Sequence, residues 1–119
     1  MPISDLGTLE GEDFCYLTTT GRVTGRSHTI EIWFALYGHT LYMLSDGRDG
    51  SDWVKNLQRA PEVTVRIADE RFEGRARVVE RGEEDELARS LLIEKYESTP
   101  GSLESWRRTA LPVAVDLAA

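Results

Sequence analysis

The alternation of apolar and polar positions predicts that most of this chain is strand. Phe14 to Thr19 forms a first strand, which enters a polar tip containing Gly21, Arg22, Thr24, Gly25 and Arg26. From His28 to Tyr37 the period is two: His28, Ile30, Ile32, Phe34 and Leu36 share one face, and Thr29, Glu31, Trp33 and Ala35 the other. The first set is expected to face the core. Trp33 then lies beside Glu31 on the outer face, where a large aromatic marks a groove or interface more often than bare surface. A turn at Tyr37 to Thr40 leads into a third strand, Leu41 to Ser45. Strands Glu62 to Ala68 and Arg71 to Glu80 form a hairpin, with Val63, Val65, Ile67, Phe72, Ala76 and Val78 on one face and charged residues on the other. Pro112 to Leu117 is the last predicted strand.

Two segments follow a helical period instead. Asp52 to Arg59 is predicted as a helix capped by Ser51 or Asp49, anchored by Trp53 and Leu57 and ended by Pro61. The acidic run Glu83 to Glu86 opens a second, with Leu87, Ala88, Leu91, Leu92 and Lys95 on one stripe. Acidic residues suit the start of a helix because its dipole is positive there. Short hairpins around two helices imply a mainly β fold of the α+β kind, a small antiparallel barrel with two flanking helices. Residues 1–12 are polar apart from Ile3, Leu6 and Leu9, and are expected to form a flexible arm before a single domain at 13–119.

Composition narrows the partners. A net charge of -7 argues against a nucleic-acid or anionic-membrane surface, so any anion site must be local. One cysteine, Cys15, excludes an intramolecular disulfide, and with only two histidines, His28 and His39, no metal site is expected. The first residues lack the pattern of a signal peptide, and no apolar run reaches the ~18 residues of a membrane span. A cytoplasmic protein without an integral membrane segment is therefore expected.

The sequence carries no HExxH, GxSxG, Walker-type loop or GxGxxG. What remains is the donor-rich tip: Arg22, Thr24, Arg26, Ser27, His28 and Thr29 form either a solvated hairpin end or a cradle for a phosphate. Taken singly, Trp53 reads as core, Asn56 as exposed helix surface and Ser45 as a strand end. They become a site only if two hairpin ends and the helix start converge on one cleft. Since no side chain stands out as the reactive group, a bound organic cofactor is expected to carry the chemistry.

The segments LTTTGRVTGRSHT, LYMLSDG, DWVKNLQRAPEVTVRI and LPVAVDL, in that order, resemble the deazaflavin-dependent nitroreductase family. Its members are split β-barrels related to flavin-binding and pyridoxamine-phosphate-oxidase-like proteins. The resemblance implies coenzyme F420, a deazaflavin bearing a phosphate and an acidic tail, whose reduced form transfers hydride to a quinone-like or nitroaromatic acceptor. It carries Thr20, Gly21, Arg22, Thr24 and Gly25 over as the hairpin that holds the tail, and Ser45, Gly47, Trp53, Asn56 and Leu57 as the ring region. Arg26 and Arg48 are neighbouring cations, and His28 is a candidate proton donor; the catalytic residue is otherwise unassigned. Val23, His28 and Asp46 stand where better-known members carry basic residues. That charge pattern keeps two alternatives open, a flavin mononucleotide (FMN)-binding oxidoreductase of the same fold and a cofactor-binding protein without turnover. Because barrel relatives often pair, an outward Trp33 would suit a homodimer.

Overall fold

The computed structural model describes residues 9–45, 47–79, 82–96 and 109–118. The strands are β1 (Cys15–Thr20), β2 (Ser27–Ile32), β3 (Ala35–Tyr37), β4 (Thr40–Ser45), β5 (Glu62–Ile67), β6 (Glu70–Val78) and β7 (Leu111–Leu117). The helices are α1 (Asp52–Arg59) and α2 (Glu83–Tyr96). All strand pairs are antiparallel, in the order β2-β1-β5-β6-β7-β4-β3. The expected mainly β split barrel with two helices is the fold observed.

The curl of the sheet follows from its connectivity. β2 and β3 form opposite edges of the sheet, yet only Trp33 and Phe34 separate them. Three Cα steps of 3.8 Å span at most about 11 Å, so the sheet must bend until its edges nearly meet. The single strand expected from His28 to Tyr37 is therefore two. Alternation persists across the break, but at Phe34 the backbone leaves the ladder and pairs with a side chain. The Tyr96 hydroxyl accepts the Phe34 N–H at 3.2 Å, and lies 3.1 Å from the Phe34 carbonyl and 2.8 Å from that of Asp13. Trp33, expected in a groove or interface, finds a partner within its own chain. It stacks on Tyr96, with ring centroids 4.3 Å apart and planes 11° from parallel.

Two apolar clusters result. Leu17, Leu41, Met43, Leu57, Val65, Ile67, Val113 and Val115 fill the concave side of the sheet. Tyr42, Leu44, Ala114, Ala88, Leu92 and Tyr96 form the second cluster, where α2 covers the opposite face of β4 and β7. β4 and β7 are thus buried on both faces, which explains their unbroken apolar runs. Each fully buried Leu or Val contributes about 1.5–3 kcal/mol relative to exposure. The arm residues that are described dock here as well: Leu9 is buried, and Glu10 accepts the Leu36 N–H at 2.6 Å and sits 3.6 Å from the Lys95 ammonium.

An ion cluster ties α2 to β6 and β7. Arg77 binds Glu84 at 2.6 Å and Asp116 at 2.8 Å, and Tyr42 donates to Glu84 at 2.8 Å. Hydrogen bonds from Arg77 hold both carboxyls below the usual range, while burial, followed by the bond to Glu84, pushes Tyr42 up to about 12. A carboxyl with a lowered folded pKa stabilises the fold above its unfolded value, and that stabilisation is lost as pH falls through the folded value. Arg77→Met is thus expected to lower the melting temperature at neutral pH, with the difference from wild type shrinking below about pH 4. Melting curves across pH check this; a gap independent of pH would contradict it.

Candidate active site

The hairpin tip is built by close backbone packing. Gly21 N–H donates to the Arg26 carbonyl at 2.7 Å, Gly25 N–H to the Gly21 carbonyl at 2.9 Å, and Arg26 N–H to Thr24 Oγ1 at 3.3 Å. The two glycines serve different ends. Gly25 has φ +75°, which an L side chain rarely adopts, whereas Gly21 leaves room for the His28 ring: a Cβ there would lie 2.7 Å from Nε2.

α1 packs beneath this tip because Val54 and Leu57 enter the core one turn apart. The same register points Asp52, Trp53 and Asn56 towards the hairpin. Asn56 is only 5% exposed, contrary to its expected place on the helix surface. Its Oδ1 accepts the Arg22 backbone N–H at 3.2 Å and Arg22 Nη1 at 2.9 Å, and its Nδ2 donates to the buried Thr19 hydroxyl at 3.4 Å. Burial is sustained because these bonds satisfy the amide. Arg22 Nη2 also pairs with Asp52 at 3.3 Å.

Between tip and helix lies a cleft of about 470 Å³, within the usual range for small-molecule sites. Gly21, Arg22, Val23, Thr24, His28, Thr29, Ile30, Asp52, Trp53 and Asn56 line it. Arg22 is its only Arg or Lys among the described residues, and half-buried Trp53 and Ile30 supply apolar wall.

Residues 4–118 match the family described as F420H(2)-dependent quinone reductase. The chain belongs to that family. Its members are oxidoreductases, and the cofactor is coenzyme F420. The fold agrees with solved structures. A conserved hypothetical protein from Mycobacterium tuberculosis superposes with a TM-score of 0.78 and 20% identity, over 100% of this chain and 82% of that one. A candidate 5-nitroimidazole antibiotic resistance protein from Bacteroides thetaiotaomicron gives 0.75 and 16%, over 99% and 81%. An F420-H2 dependent reductase gives 0.69 and 22%, over 89% and 94%. No curated protein matches the chain significantly.

Of the residues that the resemblance pointed to, the structure gathers Gly21, Arg22, Thr24, His28, Trp53 and Asn56 around one cleft. Thr20, Gly25 and Arg26 belong to the same hairpin but do not line it. Ser45 is buried, and its hydroxyl meets the Arg48 carbonyl and Ser51 Oγ, each at 2.9 Å. Ser51 takes the cap position of α1, yet its hydroxyl faces Ser45 and makes no cap bond. Gly47 gives Ser51 its space, since a Cβ would collide with the hydroxyl. Arg48, at φ +54°, reaches across to the Thr109 carbonyl. Asp46 and the segment Ser98 to Leu103 lie outside the described residues. Thr29, read as part of the donor-rich tip, also lines the cleft, and among the residues missed in the sequence Asp52 and Ile30 line it. Period two could have found Ile30, on the face of His28; nothing local marks Asp52 as the partner of an arginine 30 positions earlier. Cys15 is fully buried in the core and does not line the cleft, and that burial pushes its thiol up to about 12.

The lining suits a group that is planar and apolar at one end and anionic at the other. Arg22 supplies the cation and Trp53 with Ile30 the apolar wall, and the exposed tip leaves an open mouth for an acidic tail.

Proposed function

We propose that this protein is an F420H2-dependent reductase that passes a hydride to a quinone-like acceptor, with nitroaromatics as further acceptors. The observation that carries the reading is the Arg22–Asn56 clamp in the cleft, which orients one guanidinium in a lining that also includes the Trp53 indole. When bound, reduced F420 supplies a hydride from its central ring carbon. Gly21, Arg22 and Thr24 hold the phosphate, with Thr20, Gly25 and Arg26 shaping the hairpin around them. Trp53 and Ile30 exclude water from the ring, while Ser45, Gly47 and Arg48 fix the turn that leads into α1. His28, which lines the cleft, gives a proton to the acceptor oxygen, so that quinone plus hydride plus proton yields the hydroquinone.

The test is oxidation of F420H2 by a benzoquinone, followed by the return of deazaflavin absorbance. Saturable oxidation that depends on the protein is expected, with a His28→Gln variant slower in kcat and little changed in KM. Reaction at the uncatalysed rate with F420H2, alongside turnover with reduced FMN, would overturn the proposal.

A further inference from the structure

We infer that Asp52 sets the ligand preference of the cleft, favouring a singly charged phosphodiester over a doubly charged phosphate monoester at Arg22. The inference rests on the reading of this cleft as the F420 site.

Arg22 is shared between two acceptors of different character. Asn56 Oδ1 lies 2.9 Å from Nη1 and belongs to a buried amide that Thr19 holds from behind. Asp52 Oδ1 lies 3.3 Å from Nη2, on a side chain that is 84% exposed. Such exposed ion pairs contribute little, so the Asp52 carboxylate can swing into water at small cost. An anion entering the cleft therefore replaces Asp52 and leaves Asn56 in place.

Displacement does not remove the charge from the neighbourhood. Asp52 is the first residue of α1, and Val54 and Leu57 fix that helix in the core. Its carboxylate thus repels whatever anion has taken its place, in proportion to the charge of that anion. The phosphate of F420 is a diester with one charge. The phosphate of FMN is a monoester, which like other phosphate monoesters carries about -1.5 to -2 at neutral pH. With Val23 uncharged and Arg22 the only Arg or Lys among the described lining residues, no second strong cation offsets this repulsion in the cleft. Asp52 accordingly penalises the monoester more than the diester.

F420 and FMN are titrated separately into wild type, Asp52→Asn and Asp52→Glu, following tryptophan quenching, with melting curves to confirm folding. Asp52→Asn is expected to tighten FMN about tenfold and F420 only about threefold, while Asp52→Glu keeps the wild-type order. FMN binding that becomes measurable only in Asp52→Asn also supports the inference. Affinities unchanged within about twofold, or tightened equally for both ligands, would overturn it. If no folded variant binds F420, the reading of the cleft itself fails, and this inference with it.

Discussion

Arg22→Ala is expected to weaken F420 binding about thirtyfold, equivalent to ~2 kcal/mol. A charge-assisted hydrogen bond contributes roughly 1.5–3 kcal/mol, and the Arg22 side chain is one-third exposed, which places it towards the lower part of that range. The fold should barely respond. The Arg22 backbone N–H still reaches Asn56 after the substitution, and the Gly21 and Gly25 backbone bonds that close the tip do not involve the lost side chain. Arg22→Lys should fall between the two, since an ammonium keeps the charge but not the fork that joins Asn56 and an anion at once. Titrations and melting curves of the three proteins check this. An affinity unchanged in Arg22→Ala would remove the hairpin from the site.

Asn56→Leu is expected to destabilise the protein by about 2–4 kcal/mol, measured by urea unfolding. Leucine has a similar volume, so the cost is polar. It removes the acceptor for two Arg22 donors and the donor to Thr19, a residue only 2% exposed whose hydroxyl would be left without that partner. F420 binding should fall as well, because an untethered guanidinium must be ordered again whenever ligand binds. Asn56→Asp separates the two effects. It keeps an acceptor for Arg22 but can no longer donate to Thr19, whose hydroxyl must turn to donate instead. It also buries a charge, so it should retain more affinity than stability. A loss below about 1 kcal/mol in Asn56→Leu would show that the amide is peripheral.

Where a single local period governs, the sequence sufficed. Helix Asp52–Arg59 lies where its cap, anchors and closing proline predict it, and the hairpin β5–β6 has its apolar residues inward because alternation and burial coincide. The corner at Trp33 and Phe34 was hidden because alternation runs through it. What bends the chain there is a tyrosine hydroxyl 62 residues away. The site divides in the same way. Arg22 and the glycines were legible from the tip, but Asn56 read as exposed helix surface and is buried, and Trp53, which does pack against the core, also lines the cleft. Polarity made Asn56 look exposed, whereas long-range bonds to Thr19 and Arg22 bury the amide; size marked Trp53 as core, and the half-buried indole borders the cleft as well. Asp52 was legible only as the first residue of a predicted helix.

A crystal structure of the protein with F420 bound decides whether this cleft is the cofactor site. The cofactor is expected between the hairpin tip and α1, its phosphate on the Arg22 guanidinium, with Asn56 still bonded to Arg22 and the Asp52 carboxylate displaced. Cofactor bound elsewhere, with the Arg22–Asp52 pair intact, would contradict that placement.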